Sequence, residues 1–223
     1  LRAPRVDEVL LTLEREIIED VAVFSSMTGK FTRFLYEPDE VNLIWDSDGS
    51  ALIGTRLADP LNYYLRLRTP ALAKRDYFRW DLGMRKIESR RWAAQASYSF
   101  SQSIGSSTNN LSGSFINDPQ TQFNYGPLNT DLRHTARAQA YWDLPTDPWT
   151  QTIGFSFLYT DGYPEERLYI AETPTPSYSL RVRPRGTYLR FNPTWFVNLQ
   201  FIQTIDVRKG EIDLGLIVER ATG

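Results

Sequence analysis

The chain of 223 residues contains no cysteine, so it carries neither a disulfide framework nor a thiolate metal site. Its single histidine excludes a multi-histidine site within the chain. Charge of neither sign dominates: 25 Lys and Arg face 27 Asp and Glu, for a formal net charge of −2. Without a basic excess or a Lys/Arg block, nucleic acid is not an expected partner. No run of about 18 apolar residues occurs, which excludes a transmembrane helix. The mean hydropathy of −0.40 is compatible with a membrane β-barrel, because only every second residue of a spanning strand faces lipid and the loops are polar. The chain starts at Leu1, without an initiator methionine or a signal peptide. It reads either as a processed chain or as an internal piece of a longer one.

What is present is alternation. Residues 77–87 and 92–104 both repeat with a period of two, the strand signature, around Glu88-Ser89-Arg90-Arg91. In the second arm Trp92, Ala94, Ala96, Tyr98 and Phe100 share one face, and Ala93, Gln95 and serines 97, 99, 101 and 103 share the other. In the first arm Phe78, Trp80, Leu82 and Met84 oppose Arg79, Asp81, Gly83 and Arg85. A soluble sheet would alternate in the same way. Two features favour a transmembrane hairpin: arms of about 9–11 residues, and aromatics toward the ends of the apolar face with small or aliphatic residues between, as lipid-boundary girdles require.

The rest of the chain follows the same grammar. Strands are expected at 6–16, 21–36 and 63–68, the last continuing into the hairpin after Pro70. More are expected at 132–144, 151–160, 194–206 and 211–219, with 181–191 as an extension. The phase of 21–36 is ambiguous through Ser25, Ser26 and Met27. Residues 37–62 and 161–180 read as loops. Residues 105–131, rich in Ser, Asn, Gly, Gln and Thr, read as an exposed loop with no packed core. Eight main strands in four hairpins result. The turns near 17–20, 88–91, 145–148 and 208–210 are short, and the connections between hairpins are long. Outer-membrane barrels alternate short periplasmic turns with long extracellular loops, so the long connections are expected outside the cell.

On this reading the polar face lines a lumen through Arg79, Asp81, Arg85, Gln95, Arg133, Arg137, Gln139, Asn198 and Gln200. Mixed charges there must pair or stay wet. The lipid face carries Trp80, Leu82, Ala96, Tyr98, Ala138, Trp142, Phe155, Phe157, Trp195 and Leu199. No catalytic or metal residue is expected, and no cofactor. Asp46-Ser47-Asp48-Gly49 begins like a calcium loop, but Leu57 stands where the loop's glutamate belongs, so a tight acidic turn is expected. Glu165-Glu166 reads as a solvated pair. His134 lacks a G-x-S-x-G partner motif and reads as a residue of the outer rim.

An ordered set of segments resembles the C-terminal part of the barrel of TonB-dependent outer-membrane receptors, the Oar-like group especially. The set runs through Arg5-Val6-Asp7-Glu8, Leu13 to Ile17, Asn42 to Asp46, Arg75-Asp76-Tyr77 with Leu82 to Arg85, and Arg91-Trp92 to Ser101. It continues through Asp131 to His134, Tyr141 to Pro145, Arg185-Gly186-Thr187-Tyr188 and Pro193-Thr194-Trp195. The resemblance implies a 22-stranded barrel with a plug in its lumen, importing scarce ligands with energy from TonB. The chain departs from that pattern in having no plug, no TonB box and no terminal aromatic after Arg220.

The expectation is therefore an all-β, antiparallel transmembrane β-barrel in the outer membrane. Residues 1–223 would supply about eight strands of a larger, 22-stranded type of barrel, within one domain. Its expected partners are outer-membrane lipid and lipopolysaccharide, the remainder of the barrel with its plug or other subunits, and the TonB system through segments outside this chain. The alternatives are a free-standing eight-stranded barrel with a structural or adhesive role, and a soluble or secreted β-sheet binding module.

Overall fold

The computed structural model describes residues 1–47, 52–56, 64–106, 115–116, 121–146, 149–171, 178–181, 183–207 and 210–222. Eight long strands, first to eighth, build one antiparallel sheet: Arg5–Ile18, Val21–Arg33, Arg75–Ser89, Trp92–Gly105, His134–Leu144, Thr150–Thr160, Thr194–Val207 and Gly210–Thr222. Each pairs with its chain neighbours, so the sheet is an up-and-down meander in sequence order.

One row of pairs crosses the whole sheet: Arg15, Val23, Met84, Ala96, Ala138, Phe157, Val197 and Arg220. Arg15 lies three residues before the end of its strand at Ile18, and Arg220 ten residues after the start of its own at Gly210. With the short turns taken as one level, the row climbs about one residue per strand. At about 3.3 Å per residue and about 4.8 Å per strand, the strands tilt by about 35°. Transmembrane barrels tilt roughly 35–45°.

The sheet is open. Among the described residues the first strand pairs only with the second and the eighth only with the seventh. Every residue of the first strand is exposed.

Almost nothing in a single-layered sheet can be fully covered, and most buried residues lie elsewhere. Leu35, Leu43, Trp45, Ala73 and Leu128 form an apolar core at the long-connection end, together with buried Glu37, Asn42, Ser106 and Asp131. Within the long strands, Thr32 and Ser103 are buried toward the long connections, and Lys86 is buried at the short-turn end.

This core corrects the reading of the long connections as plain loops. Glu37–Glu40 pairs with Leu65–Arg68 and, in parallel, with Phe115–Ile116. Leu43–Trp45 pairs with Leu52–Thr55. Of the strand expected at 63–68, Leu65–Arg68 belongs to the small sheet of Glu37–Glu40 and does not continue into the hairpin, which opens at Arg75, while Tyr63 lies outside the described residues. Within 105–131, Gly126–Pro127 joins the fourth strand, Thr121–Asn124 is a 3-10 turn, and Ser106, Leu128 and Asp131 are buried. A polar composition did not prevent burial because the connections cover one another. Pro164–Glu165 pairs with Leu189–Arg190, and Leu168–Ala171 with Tyr178–Arg181. The extension expected over 181–191 is thus split between two short strands.

The first two short turns follow the expected sites, and residues 147–148 and 208–209 of the other two lie outside the described residues. Ser89 pairs with Trp92 across Arg90 and Arg91, whose φ angles are 53° and 68°. A two-residue hairpin with positive φ at both centres matches the right-handed strand twist. It is costly for residues with a Cβ.

Candidate functional site: the polar face and the loop assembly

Directly paired residues share a face, so the register assigns every side chain. Arg79, Asp81, Arg85, Gln95, Arg137, Gln139, Asn198 and Gln200 all fall on one face. Trp80, Leu82, Ala96, Tyr98, Ala138, Trp142, Phe155, Phe157, Trp195 and Leu199 all fall on the other. The ambiguous phase of the second strand is settled by Phe24, which pairs with Gly83 on the polar face. A Cβ at Gly83 would lie 2.3 Å from the Phe24 ring. Only glycine leaves room for this aromatic on a polar surface.

Arg133 stands apart from its group. The fifth strand begins at His134, and Arg133 lies just before it, 3.6 Å from the Asp131 carboxylate.

Short pairs within and across strands stitch the polar face. Arg79 Nε donates to both Asp81 oxygens at 2.8 Å, Arg79 Nη2 donates to Ser99 Oγ at 3.1 Å, and Ser99 Oγ donates to Asp81. Arg85 lies 3.5 Å from Glu14, and Lys30 lies 3.1 Å from Glu8. Asn198 donates to Glu219 at 3.3 Å, and Thr204 to Asp213 at 2.7 Å. Of the charges predicted for this face, Arg79 and Asp81 pair with each other and Arg85 pairs with Glu14. Gln95, Gln139 and Gln200 instead line a hollow of about 460 Å³, floored by Gly154 between Tyr141 and Gln200.

The opposite face has aromatic ends. Trp92 pairs with Trp142 near the short turns. Toward the long connections stand Tyr98, Phe100 and His134, and Tyr159 opposite Trp195. Alanines 94, 96, 136, 138 and 140 lie between on the fourth and fifth strands. His134 shares a 2.7 Å hydrogen bond through Nδ1 with the Tyr98 hydroxyl and stacks on its ring. The imidazole is on the other side of the sheet from serines 97, 99 and 101. Lys86 ends the apolar face at the short turn. Its Nζ donates to the carbonyls of Ile87, Ser89 and Trp92 and to Ser89 Oγ, at 2.7–3.1 Å, and lies 4.3 Å from the Trp92 ring centre.

Above the polar face, buried ions lock the connections together. The Asp131 carboxylate accepts the Ser103 N–H at 2.6 Å and a bond from Arg190. Arg190 also donates to the Asp131 and Gly162 carbonyls at 2.8 and 2.9 Å. Tyr125 reaches Asp76, which pairs with Arg33. Burial first, and the Asp76 charge second, push the Tyr125 hydroxyl's pKa up.

Glu166 was expected to be solvated, and it is not. Arg181 holds it at 3.0 Å and Arg185 at 2.8 Å. Arg181, Arg185 and Arg190 were missed as site residues. The visible signal was the alternation Arg181-Val182-Arg183-Pro184-Arg185, three cations on one side of an extended segment. Of the acidic turn, Asp48 and Gly49 lie outside the described residues.

A family model described as an outer membrane beta barrel domain matches residues 1–156. No curated protein and no solved structure matches the chain.

Proposed function

The chain belongs to the outer membrane beta barrel domain family, which places it in the outer membrane, and from that premise we propose that it is a wall section of a wider, ligand-importing barrel of the TonB-dependent receptor type. The observation that carries the width is the pair of open edges. Within a bilayer each unsatisfied backbone N–H or C=O costs several kcal/mol. The unpaired rows along Val6–Glu16 and Glu211–Glu219 therefore need partners. Those partners are strands of the same barrel or of another subunit.

The apolar face meets lipid and lipopolysaccharide, with its aromatic ends at the two boundaries. The polar face meets the lumen, and its self-paired charges suit contact with a plug. The buried loop assembly faces the cell exterior, and the short turns face the periplasm. Labelling of residues 88–91 on intact cells, without labelling of the long connections, would reverse that orientation. TonB acts through segments outside this chain. No residue here has a catalytic role in this reading.

A photo-cross-linking residue at Leu10 or Ile217, in protein embedded in its own membrane, tests the edges. Capture of polypeptide outside these eight strands is expected at both positions. A second reading, a self-contained eight-stranded barrel, is favoured by the count of long strands. It would yield only a link between the two edge strands.

A further inference from the structure

Residues 165–167 and, on the returning side, Arg181, residues 183–186 and Tyr188 line a hollow of about 380 Å³ in the loop assembly. A pocket of this size suits a small ligand. Four guanidiniums line it, from Arg167, Arg181, Arg183 and Arg185, against two carboxylates, Glu165 and Glu166.

The four arginines divide by role. Arg181 and Arg185 are mostly covered, with side chains 14% and 17% exposed, and both grip Glu166. Arg181 also donates to the Asn124 side chain, and Arg185 to the Ser106 carbonyl at 2.5 Å. These two hold the connections together. Arg167 lies 3.9 Å from Glu165 with its side chain 57% exposed, and its guanidinium sits 3.7 Å from the centre of the Tyr188 ring. Arg183 stands over the same ring at 5.7 Å and makes no ion pair among the described residues. Tyr188 thus fixes two cations at the mouth while leaving their N–H forks available.

The four guanidiniums outnumber the two lining carboxylates, and the buried Glu37 carboxylate behind Arg185 offsets part of that positive excess. Burial, and next the neighbouring Arg181, lower the Arg185 pKa. A turn sets the geometry: Gly186 has φ of +63°, and the Thr187 N–H bonds the Pro184 carbonyl at 3.2 Å. A Cβ at Gly186 would stand 2.4 Å from the Pro127 carbonyl.

We propose that this arginine hollow binds a phosphomonoester group, with Arg167 and Arg183 as the contacting forks. A phosphomonoester carries a charge of about −1.5 to −2, opposite in sign to the remaining excess. Its oxygens accept paired N–H groups from planar guanidinium. The group belongs either to a soluble phosphorylated ligand or to a phosphorylated glycolipid headgroup of the surrounding leaflet. Only the side from which the anion arrives rests on the proposed topology. Binding measured in detergent does not depend on it.

The test uses full-length protein in detergent, titrated with glucose 6-phosphate and with glucose. A parallel arm uses phosphatidylcholine vesicles with and without monophosphoryl lipid A. Saturable binding to glucose 6-phosphate but not glucose, weakened about tenfold or more in the Arg167→Ala/Arg183→Ala protein, supports the soluble source. Binding only to the monophosphoryl lipid A vesicles, with the same loss, supports the headgroup. Arg183→Gln alone serves if the double variant does not fold. It should weaken binding with an unchanged melting temperature. No binding to either phosphomonoester probe, or binding that these substitutions leave unchanged, overturns the proposal.

Discussion

Lys86 shows how a charge is carried on an apolar face. Its stem lies along the face with Ala94 and Val21, and its ammonium bends to the turn, where four oxygens accept from it. Long cations near a membrane boundary commonly place the head outside and the stem inside. Lys86→Met keeps the stem and removes the donors. The loss should be about 1–3 kcal/mol, read as a lower urea midpoint in detergent micelles. An unchanged midpoint would mean the turn does not depend on this ammonium. Neither the role of Lys86 nor that of Phe24 was legible in the sequence. Each depends on a neighbour brought in by register, Trp92 in one case and Gly83 in the other.

At the scale of elements, the eight long strands were legible and the connections were not. A strand announces itself locally, because one side chain in two meets a different medium. The buried core at the loop end comes from contacts such as Arg190 to Asp131, or Arg185 to Ser106, far apart in sequence. Composition alone made 105–131 look like open loop, since serines and asparagines bury only when another segment answers their hydrogen bonds. The turn at Arg90-Arg91 was legible as a turn but not as one with two positive φ angles, because Asn-Gly is the usual signal. That difference gives a prediction of opposite sign. Arg90→Asn with Arg91→Gly should stabilise the third–fourth hairpin by about 1 kcal/mol or more, seen as slower unfolding. Faster unfolding would show that one of these arginines makes a contact worth more than the strain.

At the scale of the molecule, two media meet at one sheet. Ala96 and Gln95 are adjacent but on opposite faces, and both stand well inside the fourth strand. Arginine in place of Ala96 should cost roughly 2–4 kcal/mol if that face meets hydrocarbon. Arginine in place of Gln95 should cost far less. Refolding titrations into lipid vesicles measure both, and equal costs would contradict the bilayer assignment. The climb of the row from Arg15 to Arg220 is a further mark of a sheet tilted as membrane barrels are. It was not visible in the sequence, because it requires the register of all eight strands together.

The central claim is that the first and eighth strands are not partners of each other. Disulfide formation in the native membrane tests it most directly. Leu11→Cys with Met27→Cys is the positive control, since these residues are paired across the first hairpin. Leu11→Cys is then combined in turn with Cys at Ile212, Leu214, Leu216 and Val218, which share the eighth strand. The account predicts rapid bond formation in the control and none within the chain for the four test pairs. Rapid closure between Leu11→Cys and any of the four would show an eight-stranded barrel closed on itself and would contradict the account.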